Sequence, residues 1–381
     1  MKEYIYADNA ATTKLDSDAF EAMKQYMLDD YGNASQPYFF AKRPKMALKN
    51  ARMEIADCIG AEPEEIFFTS GGTESDNWVI RKFGFPTDIR HVITSNIEHH
   101  AVLNTCKIES RDNRCDVRML KADPQGIIHP EELEIILSEK KEVYASSETT
   151  LVSVMYANNE IGTIEPIKEL CEVAHNHGVM FHTDAVQALG HIEINVKELG
   201  VDFLSASAHK FNGPKGIGFL YHKGGLLDQF HSGGSQEMGM RAGTEDIASI
   251  VGMAVALRKN VEAISANTEH LKNLENLLIK DLRNARVDFV RNGTNQLPGN
   301  VSLSFADASG EMLLHRLDLK KIFVSTGSAC NGKDTQISHV IEAIGVPQKY
   351  AEGTIRISLG KANTEDEVRQ IAKEIVAILS H

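Results

Sequence analysis

The chain has 381 residues, with 40 Lys plus Arg against 53 Asp plus Glu, a formal charge of −13 and 42% hydrophobic residues. That length accommodates two domains at roughly 150 residues each, and the apolar content is ordinary for a globular protein. The acidic balance argues against a nucleic-acid binder and against a cationic membrane-surface protein, and it selects no substrate.

The opening stretch, MKEYIYADNAATTK, carries acidic residues and no apolar h-region, so no secretory signal is expected. The longest apolar run, IASIVGMAVAL at 247–257, is too short for a bilayer, which needs about 20 residues. The five cysteines, Cys58, Cys106, Cys115, Cys171 and Cys330, are irregularly spaced with no C-x-x-C pair. A disulfide framework or zinc site is therefore not expected, and a reducing, cytoplasmic setting is.

From about residue 50 to 225, β-rich runs alternate with helix-like segments. EEIFFTS (64–70) reads as a strand and TESDNWVIRKF (73–83) as the helix after it, with Thr73 able to cap it. HVITSN (91–96) and TTLVSVMYANN (149–159) read as strands. EPIKELCEVAHNHG (165–178) reads as a helix with Pro166 near its start and Gly178 at its end, and VMFHTDAV (179–186) as the next strand. This alternation predicts an α/β fold with a mainly parallel sheet between helices. Helical periodicity then runs through 245–285. Short strands (VDFVRN, NVSLSFA, TIRISLG) follow, and the closing segment TEDEVRQIAKEIVAILS is a helix capped by Thr364. The expected organisation is a large domain at 16–258 and a smaller α+β domain made of 1–15 with 259–381.

In parallel α/β sheets ligands bind at the carboxyl ends of strands, and four such ends carry chemistry. Thr69-Ser70-Gly71-Gly72-Thr73-Glu74 places glycines and hydroxyls at a helix start. That arrangement suits a phosphate, or is a plain capped turn. Asp184 ends a strand, where a carboxylate can pair with a protonated ring nitrogen, or serve as a helix N-cap. Lys210, in SAHKFNGPKG (207–216), can form a Schiff base with a carbonyl ligand, with Ser207 and His209 beside it to donate to a phosphate. The alternative is a β-turn with Lys210 and Lys215 exposed. In Glu98-His99-His100 an imidazole can stack on a ring or move a proton, or be a satisfied buried histidine; adjacent histidines diverge, which disfavours a shared metal. Together these are the parts needed to hold pyridoxal 5'-phosphate.

The segments YADNAATT, FFTSGGTESDN, EHHAVL, MYANNEIGTIEPI, HTDAVQALG, SASAHKFNGPKGIG, MRAGTED, STGSACNG and TIRISLG, in this order along nearly the whole chain, resemble the class V aminotransferase superfamily, and within it the NifS/IscS-type cysteine desulfurases. The resemblance implies pyridoxal phosphate fold type I, with a seven-stranded sheet in the large domain. It implies that Lys210 binds the cofactor aldehyde, Asp184 pairs with the ring nitrogen and Gln187 bonds the phenolic oxygen. Gly72, Thr73, Ser207 and His209 would hold the phosphate, with Thr244 reaching in from the partner of a homodimer. His99 would stack on the ring, Asn159 would contact cofactor or substrate, and Arg356 would clamp the carboxylate of L-cysteine. Cys330, among small and polar neighbours, would be the nucleophile that takes sulfur as a persulfide and passes it to an acceptor protein, for iron–sulfur cluster assembly or other thiolation. Seven residues separate Cys330 from Ser338, a spacing similar to the family's long-loop group. Cys58 and Cys171, inside amphipathic helices, are expected to be buried and inert. Lys14 stands where the family has proline, and Gln36-Pro37-Tyr38 departs from its GNPSS-x-H pattern. An extended C-terminal docking tail is not expected. Alternative readings are a selenocysteine lyase or aminotransferase of the same superfamily and, more distantly, a non-catalytic sulfur or metal carrier.

Overall fold

The computed structural model describes residues 4–83, 90–112, 114–139, 149–327 and 337–380. The first strand, β1 (Ile5–Tyr6), belongs to a small pair described below. The next seven are β2 (Ile66–Thr69), β3 (Arg90–Ser95), β4 (Cys115–Leu120), β5 (Thr150–Ser153), β6 (Met180–Asp184), β7 (Phe203–Ser207) and β8 (Gly218–His222). They form one sheet in the order β2-β8-β7-β6-β5-β3-β4. Every pairing is parallel except those of β8 with β2 and β7. Strands β2, β5, β6, β7 and β8 are buried at every residue. That explains why IFFT and FLSAS do not alternate: a sheet covered on both faces asks for apolar or small residues at each position.

The remaining strands build two smaller sheets. β9 (Phe289–Arg291), β10 (Asn300–Phe305) and β12 (Thr354–Ser358) form an antiparallel sheet in the order β12-β10-β9, and β11 (Ile322–Phe323) pairs in parallel with β1. Their core is separate from that of the large sheet. It joins Ala7, Val301, Leu303, Phe305, Ile355 and Ile357 to Leu274, Leu278, Ile371 and Ile375 from two helices.

Several local expectations shift. The helix expected at 73–83 is Gly72–Lys82, and Gly71, not Thr73, is its N-cap. Gly71 has φ 147°, a region that favours glycine, and its carbonyl accepts from the N–H of Glu74 and Ser75. The strand expected at 149–159 stops at Ser153: Val154 and Tyr156 still donate to the His182 and Asp184 carbonyls of β6, but Met155 leaves the sheet and donates to Glu98 Oε1 at 2.9 Å. The periodicity at 245–285 resolves into two helices, Ile247–Glu262 and Ile264–Asn284, interrupted at Ala263. Helix Ile167–Asn176 starts after Pro166 as expected, and Gly178 (φ 71°) turns the chain behind it. The closing helix Glu365–Leu379 has Thr364 as its cap, in a capping box with Glu367. Cys58 and Cys171 are buried in helices, also as expected. No helix among the described residues is long and apolar enough to cross a membrane.

Candidate functional site

At the carboxyl end of the large sheet lies a cavity of about 650 Å³. The strand-end residues singled out from the sequence meet there: Gly72, Thr73, His99, Asn159, Asp184, Gln187, Ser207, His209, Lys210 and Arg356 all line it. Thr244 is exposed and is not among its lining. Cys330 lies outside the described residues; Ser325, Thr326 and Gly327, just before it in the chain, line the cavity.

One wall is the start of helix Gly72–Lys82. The first N–H groups of a helix have no intrahelical acceptor, so those of Gly72 and Thr73 are available to an anion, helped by the helix dipole. A Cβ on Gly72 would lie 2.4 Å from Val186 Cγ2, so the close approach of this helix to the loop after β6 requires glycine. Glu74 fixes the turn: its Oε2 accepts from Ser70 N at 3.1 Å and its carboxylate holds Arg241, Nε to Oε1 at 2.9 Å. Ser207, at the end of β7, lies against Gly71.

Lys210 follows β7 in a short 3-10 turn at Ala208–Lys210. Its Nζ donates to the carbonyls of Ala10 and Ala11 at 2.6 and 2.8 Å. Gln187 Nε2 donates to the same Ala10 carbonyl at 3.0 Å. The N-terminal segment is thereby drawn over the cavity, and Thr13 anchors it through its N–H and hydroxyl, both donating to the His209 carbonyl. His209 Nδ1 lies 3.2 Å from Thr12 Oγ1, and burial, then the charges of Lys210 and Lys215, push its pKa down to about 4. His191, behind the lysine, meets the Lys210 carbonyl at 3.0 Å.

Asp184 ends β6 and is buried. Burial pushes its carboxyl up to about 6, against the opposing effects of the Val186 N–H (2.9 Å to Oδ1) and the charge of Lys210. His99 caps the helix His100–Arg111 by accepting from Ala101 N through Nδ1 at 3.1 Å. A neutral ring in that position carries its proton on Nε2. Burial, followed by the charge of Lys210, pushes its pKa down to about 4, so neutral is the state at pH 7.

Arg356 comes from β12, on the other side of the cavity. Its guanidinium donates to Asp8 Oδ1 at 2.7 Å and to the Asn159 carbonyl at 2.9 Å, while Nε is buried without a hydrogen-bond partner among the described residues. Glu160 and Ser338 meet beside it, Ser338 Oγ donating to Glu160 Oε2 at 2.5 Å. Sequence reasoning missed Asp8, Asp76, Ala10, Ala11 and Glu160. For Asp76 the signal was present: it lies four residues after Gly72, on the same face of the same helix. Backbone carbonyls such as Ala10 leave no mark in a side-chain pattern.

The residues present suit pyridoxal phosphate on the chemistry of their donors. An amine, a buried carboxylate, a helix start with free N–H groups and a guanidinium with an unpaired Nε converge on one cavity. Among the described residues no group of three or more His, Cys, Asp or Glu side chains could hold a metal ion.

Comparison with known proteins gives a consistent picture. The aminotransferase class-V family profile matches residues 5–371. A cysteine desulfurase IscS of Dictyoglomus turgidum is 44% identical over 373 residues, 97% of this chain and 92% of that protein. One from Methanosarcina thermophila is 43% identical over 380 residues, 98% and 92% of the two chains. Among solved structures, a NifS-like protein superposes with TM-score 0.90 at 37% identity, covering 99% of both chains. A structure described as SspA in complex with cysteine superposes with TM-score 0.81 at 35% identity, covering 94% of this chain and all of that one (100%).

Proposed function

The chain belongs to the class-V aminotransferase family, and from that premise we propose that it is a pyridoxal-phosphate-dependent cysteine desulfurase, converting L-cysteine to L-alanine and placing the sulfur on Cys330. The observation that carries this reading is the convergence of Lys210, Asp184, Arg356 and the helix start at Gly72 on one cavity. Gly72, Thr73, Ser207 and His209 would hold the cofactor's phosphate, Asp184 its ring nitrogen, Gln187 its phenolic oxygen and His99 a ring face. When bound, the cofactor supplies an aldehyde that reacts with amines and a ring that accepts electrons from a substrate's α-carbon.

The chain's own residues supply the rest. Lys210 would hold the aldehyde through its Nζ and would move a proton at the substrate's α-carbon. Arg356 orients the substrate carboxylate, with its unpaired Nε free to donate and Asn159 beside it. Neutral His99 offers Nε2 as a proton donor. Cys330, as thiolate, attacks the substrate sulfur: the carbon–sulfur bond breaks, a sulfur–sulfur bond forms, and the carbon fragment takes a proton to become alanine. The persulfide then passes to an acceptor protein, with iron–sulfur cluster assembly as the use that fits the names of the relatives. Thr244, exposed and outside its own cavity, would complete the phosphate site of a partner subunit in a homodimer. The chain would divide into a large unit at 16–258 and a small one at 1–15 with 259–381; the core of the small sheet lies wholly in the second, whereas the large-sheet core also takes in Leu297, Val340, Ile341, Ile344 and Ala351 from it. The setting would be the cytoplasm.

The test is to assay alanine and sulfide together from L-cysteine, beside Cys330→Ala. Equal amounts of both products, lost in the variant while the cofactor absorbance is kept, support the reading. Full turnover by the variant removes Cys330 from it, and failure to bind pyridoxal phosphate removes the whole assignment.

A further inference from the structure

Among the buried carboxyl groups that line the cavity are Asp184, which the functional reading uses, and Asp76, which it does not. Asp184 ends β6, and Asp76 lies on helix Gly72–Lys82, one turn after Gly72; both line the cavity. Asp76 is 1% exposed, and its Oδ1 accepts no hydrogen bond among the described residues. His182 Nε2 lies 3.6 Å from that oxygen, but its ring is enclosed by hydroxyls, Ser153 Oγ 2.8 Å from Nδ1 and Ser205 Oγ 2.9 Å from Nε2. Burial pushes this imidazole down to about 3, so it is neutral and no counter-ion.

The other ionisable groups around the floor do not help Asp76. Glu98, behind the strand ends, is itself an acid, held by Ser95 Oγ at 2.6 Å and Met155 N at 2.9 Å, and burial pushes it up to about 8. His99 is neutral. Lys210 acts on Asp184, with its Nζ donating to Ala10 and Ala11. Lys210 thus compensates Asp184, and no cation among the described residues acts on Asp76. A buried carboxylate oxygen without a donor is costly, whereas a protonated carboxyl can leave one oxygen bare far more cheaply. Two neighbouring buried carboxyls cannot both ionise readily.

We propose that Asp76 and Asp184 form one acid pair holding a single proton, with the proton on Asp76 and the charge on Asp184, and that Asp76 is thereby a positioning residue for the group Asp184 meets. The directions agree: burial, then the charge of Asp184, raises Asp76 well above the carboxylate range against a hydrogen bond from Ser205, while Asp184 stands at about 6. A neutral Asp76 leaves Asp184 the anion beneath the ring nitrogen; that consequence rests on the cofactor reading, whereas the pair itself does not.

Infrared difference spectra of the wild type minus Asp76→Asn, at pH 7 with and without pyridoxal phosphate, test the pair. The expected result is the C=O stretch of a neutral carboxylic acid, present in the wild type and missing from the variant; carboxylate bands alone overturn the proposal. Because asparagine is the isostere of the neutral acid, the cofactor dissociation constant at pH 7 is expected to stay within about tenfold, and a larger loss overturns it. A second variant does not require Asp76→Asn to fold. In Asp184→Asn the neighbouring charge is gone, so the carboxylic-acid band disappears at a lower pH than in the wild type; an unchanged pH overturns the coupling. Failure of the wild type to take up cofactor refutes the functional reading, and the spectrum without cofactor still decides the pair.

Discussion

The two sheets bury residues to opposite effect. β10 and β12 put Val301, Leu303, Phe305, Ile355 and Ile357 against apolar helix faces, and the resulting core is closed on itself. The carboxyl ends of β6 and β7 bury Thr183, Asp184, Ser205 and Ser207 at similar depth. There Thr183 Oγ1, like Asp76 Oδ1, is left without a hydrogen-bond partner among the described residues. Packing of the first kind stabilises in proportion to the apolar area removed from water. Burial of the second kind costs stability until a ligand supplies partners. The small sheet is therefore built to hold, and the end of the large sheet to receive. Arg356 belongs to both: its backbone pairs with Ser302 in the antiparallel ladder while its guanidinium reaches the cavity.

The contrast predicts how substitutions divide. The largest effect is expected from Lys210→Ala, which should lower kcat/KM by about 10²–10⁴-fold through loss of the proton-transfer role proposed for it. Its melting temperature without cofactor should stay near that of the wild type; a large drop would show that Lys210 also supports the fold. Leu303→Ala, in the small-sheet core, should behave in the opposite way. Destabilisation of about 2–5 kcal/mol is expected from the denaturant midpoint, with cofactor affinity of the folded protein preserved.

A smaller effect should appear as pH dependence. Asp184 has a folded pKa of about 6, raised above the unfolded value of about 3.9, so the folded state binds its proton more tightly. That contribution to stability is complete below the unfolded pKa and is lost as pH rises through about 6. The melting temperature of the cofactor-free wild type, relative to Asp184→Asn, should fall between pH 4 and pH 6.5 and then level. A flat difference would mean that the carboxylate is already satisfied. The smallest effect is expected from Thr364→Ala, far from the cavity: about 1 kcal/mol from the lost helix cap, measured by denaturation, with turnover unchanged.

Much of this was readable along the chain. The βα alternation from β2 to β7 follows from runs of buried residue types, and the Gly71–Gly72 turn, Asp184 and Lys210 each stand where a strand ends. The edges were less legible. The run 149–159 has strand composition throughout, yet only Thr150–Ser153 forms β5, because the Met155 N–H goes to the buried Glu98 carboxyl and not to a neighbouring strand. The helices on either side of Ala263 share one periodicity, so the break between them left no sign in the pattern. For Asp76 the sequence offers its helical spacing from Gly72, but its burial depends on what the sheet places beneath it.

The amino-acid sequence by itself determined the order of elements, the strand-end positions of the reactive groups and the family, because these depend on residues near one another in the chain. Only the tertiary structure decided the partners of those groups. Ala10 and Ala11 meet Lys210 across 200 and 199 positions, and Asp8 meets Arg356 across 348. Burial and proximity, which set the charge of Asp76, Asp184, His99 and His182, are properties of the packed chain: they exist only once the sheet, the helix at Gly72 and the N-terminal segment have excluded water together.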